Sequence, residues 1–480
     1  STLFPYTTLF RSTMASPYIF GNKPSGVTTH ASAPHLPGYQ DWLAQSIGLP
    51  LFTCHRLDKE TTGALLFATT SESASELSEL FAHQAIHKKY LFITDRPVTQ
   101  KNWTCTEPLS TQKSSQKVPA TTTFEVIKTQ GRYSLIKAEP QTGRTHQVRI
   151  HAQHSHIPLL GDTRYGGTSF PQFYLHCQEL SVPQLNIQHV VAPPLIMNHL
   201  EALEHPLLCQ WLTSIDTRQR LYGEFGQHCY RLIHDEGTPL RLDLVGHVGC
   251  AGWWDAIPPS HNELELLKRL FDILSITEWR LMHYSGQRQK DICIVDHISR
   301  EEWVGQENAF SFTFKKETGL SCGLFLDQRE NRQWISTQSS GKSLLNLFAY
   351  TGGFSVAGAL GGATKTTTVD LSKKYIEWIK SNFKLNQISV ENHDFYALDS
   401  LEYLKFAAKK GIQFDIIVCD PPSFSRDKKG HVFQIEKHFV KLLEATLSVL
   451  SPTGFILFST NYEKWSLERW FTEMNKNLST

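Results

Sequence analysis

The chain has 480 residues, of which 40% are hydrophobic and 19% charged, with a formal net charge of +1 at pH 7. That length exceeds one ordinary core and implies two or three domains, and a charge so near zero gives no whole-molecule attraction to nucleic acid, so any such contact must rest on local basic patches. No apolar run approaches the ~20 residues a membrane span needs, so a soluble protein is expected, and nine scattered cysteines without a Cys-x-x-Cys pair fit a reducing cytoplasm.

Residues 2–12 (TLFPYTTLFRS) look like a translated sequencing adapter; residues 1–13 are set aside as artefact or disordered tail, and Met14 is read as the original start. From 14 to 194, short β-rich runs such as 134–139 and 148–151 are broken by Gly, Pro and polar turns, with one helical stretch at 73–83, which predicts a mixed α+β domain. Pro193 and Pro194 punctuate the chain. The apolar periodicity of 200–221 then predicts a helical connector, and 230–236 and 240–245 predict a small β-rich segment within 195–309 that helps present RNA. From 310 to 480 strands and helices alternate: strands at 343–348, 366–370, 414–420 and 454–459, with helices starting at 354 and over 373–386 and 435–450. This order predicts an α/β Rossmann-like domain with a mostly parallel sheet.

In the first domain the run Cys54-His55-Arg56-Leu57-Asp58-Lys59-Glu60-Thr61-Thr62-Gly63 sets an arginine and a carboxylate just ahead of an apolar strand. Alone it is ambiguous, since an Asp in such a run also serves as a turn former or salt-bridge partner. Its companions are NKPSGV (22–27), KKY (88–90), QTGRTHQVRIH (141–151) and GDTRYG (161–166). Together, over about 20–182, these motifs resemble the pseudouridine synthases that modify uridines of ribosomal and transfer RNA, with Thr62 where that family usually has Ser. The resemblance implies an isomerase needing no cofactor. It makes Asp58 the catalytic carboxylate, attacking the ribose C1′ or the uracil ring or assisting departure of the base, three options that stay open. Arg144 would pair with Asp58, a task that suits a guanidinium fork; Tyr90 would stack on uracil and handle protons; and Arg56 would fill the gap left by a base rotated from its stack. Lys89, His146 and Arg149 join Arg56 as expected RNA contacts. The histidines at 146, 151, 154 and 156 lack carboxylate or Cys companions at ligand spacing, so no metal is expected.

In the second domain, LLNLFAYTGGFS (344–355) reads as strand, glycine-bearing turn and helix start, a backbone that can approach a ligand closely. Asp370 ends the next strand, where nucleotide-binding α/β folds grip a ribose diol. A dinucleotide dehydrogenase would share both features. Asp394 beside Phe395, and Asp420-Pro421-Pro422-Ser423-Phe424 at a strand end, argue instead for a base-directed methyltransferase, the prolines stiffening the turn so that Asp420 can orient a target base. With the CGLFLDQR run (322–329), these segments resemble the S-adenosylmethionine-dependent methyltransferases of large-subunit rRNA, most closely the guanine-N7-methylating half of a bifunctional rRNA enzyme.

That resemblance implies S-adenosylmethionine as cofactor, held by Tyr350, Thr351, Gly352 and Gly353 at the turn, Asp370 on the ribose and Asp394 on the adenine. Asp420 would stand at the chemistry, and Pro421, Pro422 and Phe424 would position the base. Related cytosine-C5 enzymes carry a nucleophilic cysteine in a Ser-Cys-Ser run, where this chain has Phe458-Ser459-Thr460-Asn461, which favours a guanine nitrogen. The family sheet normally continues beyond this point, so a truncated C-terminus is expected. The expectation is a two-activity enzyme acting on large-subunit rRNA, with no DNA partner. Two alternatives stay open: one half serves as a degenerate RNA-binding module, or methylation falls at cytosine C5.

Overall fold

A computed structural model describes residues 16–31, 33, 36–111, 114–222, 228–234, 236–285, 292–316, 323–426, 432–462 and 464–478; Cys322 lies outside them. The chain divides into two compact units. One comprises Ser1–Phe225, Leu232–Pro239 and Pro259–Ser275, and the other Gly226–Arg231, Leu240–Pro258 and Ile276–Thr480.

The first unit is organised by a mixed sheet whose strands run in the order Tyr18–Lys23, Thr62–Ala68, Leu175–Val182, His87–Thr94, Tyr133–Pro140, Thr122–Gln130 and Asn102–Cys105. Only the pairing of Thr62–Ala68 with Leu175–Val182 is parallel. Thr62–Ala68 reads TGALLFA and is buried at every position, as an interior strand covered on both faces requires. Tyr39 and Leu43 of helix Tyr39–Ile47 and Leu77 of helix Ser71–Ala82 share its core. Thr70 caps the second of these helices, its hydroxyl accepting from the Ser73 amide, which satisfies an otherwise orphaned donor. Gly63 has φ +112°, and a Cβ there would lie 2.2 Å from the Cys177 carbonyl oxygen; no other residue permits that approach.

One sequence expectation is overturned. Residues 148–151, read as β-rich, lie in the α-helix Gln147–His154. The alternation of Val148 and Ile150 is too short to decide between periods. Helical spacing sets buried Val148 and Ala152 one turn apart on the core side, and the tertiary gain outweighs β propensity. The expected connector is the short 3-10 turn Leu200–Glu204 followed by helix Pro206–Tyr222.

The second unit carries a small sheet in the order Cys229–Ile233, Leu240–Val245, Val248–Trp253, Glu278–His283 and Ile292–Asp296, then the hairpin of Glu302–Glu307 with Phe310–Lys315. Its larger sheet is wholly parallel, ordered Asp394–Ala397, Lys365–Asp370, Ser343–Leu347, Phe414–Cys419 and Leu450–Phe458. The order reverses between Ser343–Leu347 and Phe414–Cys419, the switch point at which open α/β sheets bind ligands beyond their carboxyl ends. Buried Arg332 donates to both oxygens of buried Glu307 at 2.6 Å and to the Phe325 carbonyl at 2.8 Å. This pair ties helix Arg329–Gln338 to the hairpin and fixes the segment that walls the switch-point cleft.

The Asp58 loop of the first unit depends on an equally buried cation. Lys23, fully buried, donates to the carbonyls of Pro24, Val27 and Lys59 at 2.8–2.9 Å, joining the 22–27 motif to the residue after Asp58. Replacing it by Met leaves those buried acceptors without their charged donor, a loss of at least ~2 kcal/mol. We expect Lys23→Met to lower the melting transition of this unit by roughly 4–8 °C, read by differential scanning calorimetry; an unchanged transition would remove Lys23 from this role.

Candidate active sites

In the first unit Asp58 sits on a loop fixed from three sides. The Leu57 amide donates to the Thr29 hydroxyl at 3.1 Å and that hydroxyl donates back to the Leu57 carbonyl at 3.0 Å. His55 Nε2 accepts from the Leu66 amide at 3.0 Å, and burial, then the charge of Lys88, push its imidazole well below the ordinary histidine range, so it serves as a neutral acceptor. The Thr61 amide closes the turn on the Asp58 carbonyl at 3.1 Å.

The partner of the Asp58 carboxylate is Arg149, not the expected Arg144. Arg149 Nη1 donates to Asp58 Oδ2 at 3.1 Å, while Nε and Nη2 of the same guanidinium grip the buried Asp162 at 2.6 and 2.8 Å. Phe173 and Tyr165 face the guanidinium at 4.8 and 4.9 Å. Burial works against its charge, but the hydrogen bonds and charges of Asp162 and Asp58 more than offset this and raise its pKa. The helix that replaced the expected strand is the cause. Gln147 opens it, accepting from the Thr142 hydroxyl and the Arg144 amide and donating to the Thr121 carbonyl and the Thr122 hydroxyl, and one half-turn later Arg149 points inward. Arg149, expected from its motif to contact RNA, is thus only 6% exposed and committed to carboxylates.

His146, in the left-handed region at φ 55°, places Nδ1 2.7 Å from the Tyr165 hydroxyl and Nε2 3.5 Å from Asp58 Oδ1; burial lowers its pKa against the pull of Asp58. The ring thus bridges the Tyr165 hydroxyl on one side and Asp58 on the other. Tyr90 is buried in the same pocket, its phenol held well above the usual range by burial and then by Cys177 and Asp58. Arg144 and Arg56 are exposed at the rim of this cavity of about 240 Å³, and Lys89 is paired with Glu179 at 2.8 Å. His151 is spent on the Thr122 hydroxyl and the Glu107 carbonyl. The fold therefore gathers a carboxylate, a fixed guanidinium, a neutral imidazole and a neutral phenol around one recess with a basic rim.

In the second unit a cleft of about 380 Å³ opens at the carboxyl ends of the parallel strands, walled by Phe325, Phe348, Tyr350, Tyr375 and Phe433, with Asp327, Asp370, Asp399 and Asp420 as its carboxylates. Asp370 accepts from the Tyr350 and Ser372 amides, both at 2.9 Å, which leaves each oxygen a lone pair for a hydroxyl donor; burial raises its pKa. Tyr350 lines the cleft. Thr351, Gly352 and Gly353 do not: the Thr351 hydroxyl bonds the Gly323 carbonyl, and Cβ atoms at the two glycines would meet Ile379 at 2.8 Å and Arg332 at 3.0 Å. Their part is to let the turn pack.

Asp394 is likewise not in the cleft. It begins its strand, opposite Thr367, and pairs with Lys365 at 2.9 Å, whereas Ala397 stands opposite Asp370. Three residues of strand put it ~10 Å from the ligand edge. Asp399, at the strand's other end, is the carboxylate that reaches the cleft while capping helix Ser400–Lys410. Its signal in sequence is an Asp-Ser helix start directly after the third strand.

Asp420 accepts from the Ser459 hydroxyl at 2.5 Å, and burial, opposed by that bond but reinforced by Asp327, raises its pKa. Pro421 and Pro422 line the cleft beside it. Phe424 is 56% exposed and faces a neighbouring recess, so the aromatic wall here is Phe433. Cys419 is fully buried and its thiol is pushed far up by burial; no cysteine among the described residues lines the cleft.

Comparison with known proteins finds a family for each part of the chain. Residues 17–154 match the model of the RNA pseudouridylate synthase family and residues 279–473 that of the S-adenosylmethionine-dependent methyltransferases. YwbD of Bacillus subtilis (strain 168) is 40% identical over 289 residues, 57% of this chain and 72% of YwbD. The chain belongs to the S-adenosylmethionine-dependent methyltransferase family. Ribosomal RNA large subunit methyltransferase K of Neisseria meningitidis serogroup B is 40% identical over 185 residues, 38% of this chain and 52% of that protein, so the chain spans about half of this relative. A solved structure of methyltransferase type from Streptococcus mutans covers 61% of this chain and 74% of its own at 26% identity and TM-score 0.50. Another, in complex with SAH, covers 60% and 73% at 27% identity and TM-score 0.51.

The second-unit cleft fits that cofactor. Asp370 offers acceptors for a ribose diol, Asp399 for an exocyclic amine, and the aromatic walls a slot for a flat base. When bound, S-adenosylmethionine supplies an electrophilic methyl group. Losing one carboxylate acceptor from such a site weakens binding by roughly tenfold or more. Calorimetric titration with S-adenosylhomocysteine should therefore show that loss in Asp399→Ala and none in Asp394→Ala; the reverse ranking would return the adenine contact to Asp394.

Proposed function

We propose that the chain is a two-activity RNA-modifying enzyme. The first unit isomerises uridine to pseudouridine, and the second methylates a guanine nitrogen of large-subunit rRNA. The observation that carries the first activity is the single carboxylate, Asp58, held between a fixed guanidinium and an imidazole at the floor of a pocket with a basic rim. Breaking a glycosidic bond and rejoining the base through carbon requires one group that stays beside both fragments. Asp58 is that group; Arg149 holds it in place, Tyr90 lies under the uracil, and Arg56 and Arg144 at the rim meet the RNA strand. No metal or cofactor enters this reaction.

For the second activity, supporting observations are the Asp-Pro-Pro turn against the cofactor cleft and a cleft wall without a thiol. Methylation at cytosine C5 needs a thiolate added at C6, and Cys419, buried and held protonated, does not supply one. Guanine N7 already carries an in-plane lone pair and has no proton to lose, so Asp420, the two prolines and Phe433 need only hold it in line. Relatives named as ribosomal RNA large subunit methyltransferases support rRNA as the substrate.

Mass-spectrometric nucleoside analysis of rRNA treated with the protein and S-adenosylmethionine tests both halves. Asp58→Asn should abolish new pseudouridine and keep methylguanosine, and Asp420→Ala should do the converse by at least ~100-fold. Pseudouridine made equally by Asp58→Asn would overturn the first assignment, and methylcytosine in place of methylguanosine the second.

A further inference from the structure

Besides the cofactor cleft, the second unit holds a recess that the two reactions above leave unused. It lies on one face of the small sheet. In strand Leu240–Val245, Leu240, Leu242 and Leu244 are buried while Arg241 and Asp243 turn to the other side, the alternation of a pleated strand. Arg231, Arg280, Trp254 and Tyr284 line the same recess of about 150 Å³.

The recess has a built interior. Trp254 and Tyr284 stack at 4.3 Å between centroids with 26° between their planes, and the Arg241 guanidinium lies 4.5 Å over the indole. Arg231 is oriented by Asp243, which accepts from Nε at 2.8 Å and Nη2 at 3.1 Å, and Arg280 by the Lys316 carbonyl at 2.8 Å. Gly252 forms the floor: a Cβ there would meet Trp254 Nε1 at 2.8 Å and Tyr284 Cε2 at 2.9 Å. The aromatic pair lies against the sheet only because that residue has no side chain, and Trp254 still leaves 43% of its surface exposed. Among the described residues, three guanidiniums line the recess against two carboxylates, Asp243 and Asp327.

An exposed indole beside oriented guanidiniums is the chemistry that stacks a base and meets its phosphate. Phe325 and Asp327 line both this recess and the cofactor cleft, so the two share a wall. From this juxtaposition we infer that the recess binds a nucleotide of single-stranded RNA flanking the base to be methylated. The base stacks on Trp254 and the backbone phosphate meets Arg241 and Arg231. The inference rests on the methyl-transfer reading of the second unit and gives that site a second point of grip on the strand, which fixes register as well as affinity.

The test uses the full chain and a short, fluorescein-labelled single-stranded RNA without uridine, so that the first unit has no target base. Fluorescence anisotropy should show Trp254→Ala and Arg241→Ala each weakening this RNA about tenfold or more, with S-adenosylhomocysteine affinity unchanged by calorimetry. The Arg241 variant should also flatten the salt dependence. Gly252→Val, which fills the floor, should weaken RNA in the same way. Wild-type RNA affinity in Trp254→Ala and Arg241→Ala overturns the inference and leaves the methyltransferase reading standing. Parallel loss of S-adenosylhomocysteine binding also overturns it, since the pair would then brace the fold. Absence of methyl product from rRNA with the wild-type chain, by contrast, strikes the methyltransferase reading itself.

Discussion

The first unit turns on one guanidinium. Arg149 cannot be buried alone, because a desolvated charge without partners is prohibitively unfavourable. Asp162 supplies the fork that makes burial tolerable, and the remaining Nη1 is then aimed at Asp58 with little freedom. Everything around the pocket follows from keeping that geometry: the helix that begins at Gln147, the Thr29 and His55 bonds that stop the Asp58 loop from drifting, and the Lys23 ammonium that pins the residue after it. A carboxylate that must stay beside two fragments of a broken nucleotide needs such stiffness more than it needs strength.

The second unit solves a different problem with a different device. Its parallel strands all end on one side, so carboxylates placed at strand ends converge without any pairing between them. Asp370, Asp399 and Asp420 each come from the end of a separate strand; Asp399 is held by amides of its own turn, Asp370 by the Ser372 amide of its turn and the Tyr350 amide of the neighbouring strand's turn, and Asp420 by the Ser459 hydroxyl at the end of the adjacent strand. Burial raises Asp370 and Asp420 alike, and the charge of Asp327 adds to the effect at Asp420 alone. The buried Arg332–Glu307 pair stands behind this wall and keeps Phe325 at its mouth.

Much of this could be read from the residues, and the exceptions are instructive. The alternation of strands and helices after 310 is periodic enough to give the parallel sheet, and Asp58, Tyr90, Asp370 and Asp420 fall into the two clefts. Arg144 and Arg149 sit five residues apart in one motif, and only the helix between them decides which faces inward; a four-residue apolar alternation could not reveal that helix. Asp394 and Asp399 likewise flank one short strand. Sequence offers two acids, and the direction of the strand selects the later one. Phe424 and Phe433 differ in a similar way, since a hairpin, Phe424–Arg426 with Val432–Gln434, sends one outward and the other into the cleft. The recess on the small sheet was illegible because its residues come from four strands and a loop, and no motif joins them.

Which arginine holds Asp58 decides how the first unit works. Forming the carbon–carbon bond of pseudouridine releases the hydrogen at C5 of uracil, so tritium release from RNA carrying [5-³H]uridine reports the first unit alone. Arg149→Lys, which cannot reproduce the fork to Asp162 while reaching Asp58, is predicted to slow that release by ~100-fold or more, and Arg144→Lys by less than ~10-fold. A chain in which Arg144→Lys is crippled and Arg149→Lys releases tritium at the wild-type rate would contradict the geometry on which this reading is built.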